Sequence, residues 1–129
     1  MATDTPADLV AAARRTVSEI TPEDAKAALD RGDVDLIVDV REPGEWEAGH
    51  IPGALHAPRG MIEWYADPAY ANHKPELAGA RDKTVILHCA AGGRSLLAAQ
   101  TLQQLGFANV RSMSGGYKEW SEKGLPTET

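Results

Sequence analysis

Val85-Ile86-Leu87-His88-Cys89-Ala90-Ala91-Gly92-Gly93-Arg94-Ser95 is the stretch on which the chain turns: an apolar run, the only cysteine, a glycine-bearing loop and then a helical pattern. Val85 to Leu87 read as a buried strand, and Leu96 to Leu105 as a helix closed by Gly106. Cys89 therefore stands at the carboxyl end of a strand, facing the N-terminus of the next helix. Open α/β sheets bind ligands there, because helix N-termini present unpaired N–H groups and the positive end of the dipole. Gly92 and Gly93 can take backbone angles closed to other residues, so successive amides from Ala90 to Ser95 can point at the sulfur. The thiolate is the nucleophilic form, and helix N-termini or nearby arginines pull cysteine pKa values from ~8.5 to ~3.5–7.5. Arg94 and the loop amides supply both influences. A lone cysteine is more commonly a small buried hydrophobe, but the Gly-Gly-Arg turn behind this one points to an active site.

Leu36-Ile37-Val38-Asp39-Val40 is the β-branched run of a parallel strand buried on both faces. Asp39 and Arg41 follow its end, where either could lie near the Cys89 loop or form a structural ion pair with the loop wall. Ala54 to Pro58 read as a short strand reaching an edge, with Arg59 just beyond it, and Asn109 to Met113 as another strand. Leu9, Val10, Ala13 and Val17 fit a short helix from Ala7 to Val17 with one apolar face, packed on the body or on a second subunit. Thr21-Pro22-Glu23-Asp24 opens a helix that runs to about Gly32. Arg59 to Arg81 has weak signals, and the spacing predicts a surface excursion with short helices. Trp64 and Tyr65 in it are candidates for an apolar rim, though packing accounts for them equally well. Gly115-Gly116 marks a turn before a last helix from Tyr117 to Lys123, ended by Gly124 and Pro126. Strands alternating with helices on short connections indicate an α/β domain with a mainly parallel sheet. Residues 1–18 read as an N-terminal helical extension and residues 19–129 as one domain.

The chain has 129 residues, 43% hydrophobic and 25% charged, enough for one domain with its own core. One cysteine can form no internal disulfide, and no C-x-x-C pair exists, so a reducing, cytoplasmic compartment is expected. The first residues lack the basic and apolar regions of a signal peptide, and no stretch is long enough to span a membrane. A net charge of −6 argues against nucleic acid and anionic lipid as partners. Any anion site must then be built locally.

Two separated stretches resemble one family, the rhodanese-like sulfurtransferases. Asp39-Val40-Arg41-Glu42-Pro43-Gly44-Glu45-Trp46-Glu47-Ala48-Gly49-His50-Ile51-Pro52-Gly53-Ala54 resembles the segment that family members carry before the catalytic half. Cys89-Ala90-Ala91-Gly92-Gly93-Arg94-Ser95 resembles the active-site loop, and Gly115-Gly116-Tyr117-Lys118-Glu119-Trp120 the start of the C-terminal helix. The resemblance spans roughly Ile20 to Gly124, and the joint occurrence of the motifs is what makes it specific. It implies a central five-stranded, mainly parallel sheet flanked by helices on both faces. It also implies that the Cys89 thiolate takes a sulfane sulfur from thiosulfate or a related donor and holds it as a persulfide. Cyanide or a thiol then removes the sulfur. This is covalent catalysis with ping-pong kinetics. Because donor and leaving group are anions, Arg94 and the amides of Ala90, Ala91, Gly92, Gly93, Arg94 and Ser95 are expected to bind them, with Arg59 a further candidate. His88 would orient the loop, unless it is an ordinary core histidine. His50 is expected to fix the Gly49–Gly53 turn. No cofactor and no metal are implied, since His56, His73 and His88 have no ligand spacing.

Tyrosine phosphatases share the His-Cys…Arg-Ser frame but place five residues between cysteine and arginine, whereas four separate Cys89 from Arg94. The shorter loop should admit one sulfur atom more comfortably than a phosphate with three oxygens. Phosphatases also need a general acid for the leaving alkoxide, and no acid-bearing loop can be placed. The related arsenate reductases have the longer loop too. A persulfide carrier for a specific protein partner would look the same in sequence as an enzyme. The N-terminal helix is the only candidate contact for a homodimer.

Overall fold

The computed structural model describes residues 4–129. Residues 1–3, where the expected extension begins, lie outside the described residues. Five strands form one all-parallel sheet: β1 (Ser18–Ile20), β2 (Leu36–Asp39), β3 (Leu55–His56), β4 (Thr84–His88) and β5 (Asn109–Met113). Their order across the sheet is β1-β5-β4-β2-β3. β4 takes the centre because Val85, Ile86 and Leu87 are apolar on both faces, as a strand covered on both sides requires. Its register sets Asp39 of β2 beside His88 and Ser112 of β5 beside Leu87.

The helices are α1 (Pro6–Arg14), α2 (Pro22–Asp30), α3 (Pro43–Ala48), α4 (Ile62–Tyr65), α5 (Pro75–Ala78), α6 (Gly93–Gln104) and α7 (Gly116–Glu122). On one face of the sheet Val38, Val85, Leu87 and Val110 meet Ala13 of α1, Ile62 of α4, Leu77 of α5 and Leu96, Ala99 and Leu102 of α6. On the other face Ile37, Ile86 and Met113 meet Ala25 of α2 and Trp120 of α7. Each fully buried Leu or Ile contributes roughly 1.5–3 kcal/mol through the water it sheds, so the two layers hold the sheet edge where the loops gather.

Several boundaries differ from the sequence expectation. Ser18-Glu19-Ile20 is an edge strand beside β5, unmarked in the sequence because Ile20 is its only apolar residue. The expected domain boundary at 18/19 falls inside that strand. α1 ends at Arg14, and α6 starts at Gly93, before its apolar periodicity begins at Leu96. One face of α1 lies on α6 within the chain: Val10 Cγ2 is 3.6 Å from where a Cβ on Gly93 would stand. The Arg59–Arg81 excursion holds a 3-10 turn at Arg59–Met61 followed by α4 and α5. Tyr65 packs on the core, and Trp64 is half exposed. No helix among the described residues is long and apolar enough to cross a membrane.

Candidate active site

Alternation along β4 decides which way each functional side chain faces. Val85 and Leu87 belong to the core on the α6 side, and Cys89 continues their parity, so its sulfur lies under the first turn of α6. There Sγ accepts hydrogen bonds from the amides of Gly92 at 3.1 Å and Ser95 at 3.4 Å, with the Ser95 hydroxyl at 3.5 Å. Gly92 reaches this geometry at φ 110°, a left-handed backbone that favours glycine. The Ser95 hydroxyl donates to Gly92 O at 3.1 Å and also shares a 2.7 Å hydrogen bond with the Ser112 hydroxyl on β5. Both serines are fully buried. Cys89 itself is 1% exposed, so a reactant can present to the sulfur little more than one terminal atom.

The loop is held from behind by α7. The amide of Tyr117 donates to Cys89 O at 2.8 Å and that of Lys118 to Ala90 O at 3.1 Å. This approach requires Gly116, where a Cβ would stand 2.5 Å from each of those two carbonyl oxygens.

His88 has the opposite parity and faces a buried ion pair, away from the sulfur. Arg41 donates to Asp39 through Nε at 3.0 and 3.1 Å and through Nη2 at 2.8 Å, and Nη2 also reaches Gly49 O at 2.7 Å. The guanidinium lies 4.1 Å over the Tyr117 ring. Asp39 and Arg41 therefore form a buried ion pair beside His88 and Tyr117. Among the described residues neither ring nitrogen of His88 has a hydrogen-bond partner, and Asp39 Oδ2 is 3.7 Å from Nε2. Burial pushes the His88 pKa down to about 4 against the pull of Asp39, so the ring is neutral at pH 7.

Two expected anion binders are engaged elsewhere. Arg94 reaches out of the loop to Glu45 of α3, with Nη1 to Oε1 at 2.7 Å and Nη2 to Oε2 at 3.0 Å. The partnership holds the Glu45 carboxyl down to about 2 and raises Arg94. Glu45 Oε1 also accepts from the amide of Glu42 at 3.0 Å, so the first turn of α3 fixes the carboxylate. Arg94 is thus a paired cation at the mouth, not a free one above the sulfur. Arg59 donates to Glu63 at 3.3 Å and to Thr101 at 3.2 Å, which keeps it on the flank of α6, well along from the loop.

His50 bonds back to α3 instead of within the Gly49–Gly53 turn, with Nδ1 2.9 Å from Trp46 O and its ring stacked 3.6 Å from that of Trp46. Glu45, Ser112 and Tyr117 also belong to the site, although the sequence assigned none of them an individual role. Ser112 carried a usable signal, a hydroxyl at a position where β5 alternation demands a buried side chain.

Comparison with known proteins gives this geometry relatives. Residues 21–123 match the rhodanese-like domain family. A sulfurtransferase of Allochromatium vinosum is 36% identical over 111 residues, covering 85% of this chain and 94% of the relative. Human thiosulfate:glutathione sulfurtransferase is 37% identical over 94 residues, covering 67% of this chain and 79% of the relative. A solved structure from Rhodopseudomonas palustris, described as a protein of unknown function and a possible tyrosine phosphatase, superposes with a TM-score of 0.90 at 36% identity, covering 99% of this chain and 97% of that one. The matched span runs from the residue capping α2 through β2 to β5, the Cys89 loop and α7, and by it the chain belongs to the rhodanese-like domain family.

Proposed function

We infer that the protein is a sulfurtransferase that carries sulfane sulfur on Cys89, from thiosulfate or a related anionic donor to cyanide or a thiol. The observation that carries this reading is the buried Sγ under the converging amides of Gly92 and Ser95. With thiosulfate, the Cys89 thiolate attacks the outer sulfur, an S–S bond forms to Cys89, and the S–S bond of the donor breaks with its electron pair leaving on sulfite. Amides already aimed at Sγ need no reorganisation to stabilise the thiolate that attacks and is later returned. The second nucleophile attacks that outer sulfur and returns the Cys89 thiolate. Relatives named as sulfurtransferases support the same chemistry.

The phosphatase description of the Rhodopseudomonas palustris neighbour has less support in this chain. Four residues between Cys89 and Arg94 make a cradle for one atom, Arg94 is already paired with Glu45, and Asp39 is locked by Arg41 instead of free to protonate a leaving group. The test is intact mass after thiosulfate, then cyanide with thiocyanate detection. Wild type gains one sulfur and loses it as thiocyanate, and Cys89→Ser does neither. Sulfur transfer by Cys89→Ser would overturn the mechanism, and a loaded protein that cyanide fails to turn over would make the protein a carrier.

A further inference from the structure

We propose that Glu45, by holding Arg94, selects the donor class, so that the site takes organic persulfides in preference to the thiosulfate dianion. This rests on the sulfur-transfer reading above. Arg94 is the only cationic side chain between Cys89 and Ser95, and both of its terminal nitrogens are bonded to Glu45. The pair is about a third exposed, at 36% for each side chain, so it stands at the mouth of the loop and not in the core. Around it the balance is negative. Glu42 faces Arg94 from the first residue before α3, and the open cleft on the other side of the loop is lined by Ala91, Gly115, Lys118, Glu119 and Glu122. Two cations therefore stand among four carboxylates.

A donor that delivers two negative charges to a buried sulfur finds Arg94 already held, and among the described residues the one cation outside an ion pair in that cleft, Lys118, stands beside Glu119 and Glu122. A thiosulfate dianion would have to break the Arg94–Glu45 pair or enter against it. An organic persulfide reaches the thiolate with no charge on its reacting end when protonated. The exchange balances: the Cys89 thiolate attacks the outer sulfur of R–S–SH, the donor S–S bond breaks, and R–S⁻ leaves while Cys89 keeps –S–SH. The amides of Gly92 and Ser95 serve either donor, so they set the chemistry and Glu45 sets the choice. Glu45 is a specificity-determining residue here, not a catalytic one.

The test compares second-order rates of Cys89 loading by cysteine persulfide and by thiosulfate, read by intact mass as the gain of one sulfur. Wild type should load faster from the persulfide. Glu45→Gln keeps an acceptor for Arg94 but removes the charge, and should raise the thiosulfate rate about tenfold while leaving the persulfide rate within about twofold. In an Arg94→Gln background the same Glu45→Gln change should leave the donor ratio unmoved, because the cation it releases is gone. A Glu45→Gln protein in which both donors change alike would show that Glu45 only shapes α3 and would overturn the proposal. So would a wild type that loads faster from thiosulfate. Failure of both donors to load wild-type Cys89 would instead overturn the sulfur-transfer reading itself.

Discussion

His88 lies one residue before Cys89 and Arg94 five after it, and their electrostatics differ because one is buried beside an ion pair and the other reaches solvent. His88 has a native pKa of about 4 against 6.5 in an unfolded chain. The unfolded state binds the extra proton between those values, so stability is complete above pH 6.5 and is lost as pH falls toward 4. Between pH 7 and pH 5 the histidine should remove about 2 kcal/mol. Urea unfolding at the two pH values checks this, and His88→Phe should lack that share of the loss. An equal pH dependence in both proteins would show that His88 charges freely in the fold. At this scale the sequence revealed the nucleophile and the loop amides, because their roles follow from adjacency along the chain. It could not reveal that Arg94 is spoken for, since Glu45 is remote in sequence and only the docking of α3 beside the loop brings the two together.

At the scale of elements, the loop between β4 and α6 is only as firm as its backing. Tyr117 and Lys118 donate to Cys89 O and Ala90 O from the first turn of α7, and Gly116 has a φ of 59° with no room for a methyl group. Gly116→Ala must adopt a left-handed backbone and push two carbonyls away, at a cost of roughly 3 kcal/mol. Equilibrium unfolding reads the loss, and sulfur loading of Cys89 should slow with it because the carbonyl that moves belongs to the nucleophile. Wild-type stability would mean that α7 does not brace the loop. Elements with strong periodicity or caps were legible: Thr21 does cap α2, accepting from the amide of Asp24 at 3.2 Å. β1 was not, because a three-residue edge strand with one apolar side chain carries no pattern, and its existence depends on β5 being there to pair with it.

For the whole molecule, the net charge of −6 is a field that any anionic donor must cross. Raising ionic strength from about 0.01 M to about 0.15 M shortens the reach of that field, so thiosulfate loading should accelerate about two- to threefold. A donor without net charge should show no such rise. A rate that falls with salt would mean the path to Cys89 is locally attractive. The charge and the alternating strands and helices were plain from the sequence. The strand order was not, because composition and periodicity contain no record of which strand lies beside which.

That order has a consequence for how the protein comes into being. β1 is the first strand made, and its sheet partner β5 is the last. A nascent chain must therefore keep β1 unpaired until the other four strands have been synthesised, and this long-range pairing makes for slow closure. The nucleophile's carbonyl waits longer still, for the amide of Tyr117. A chain interrupted before that point has its cysteine but no finished pocket, so reactivity arrives only with completion of the fold.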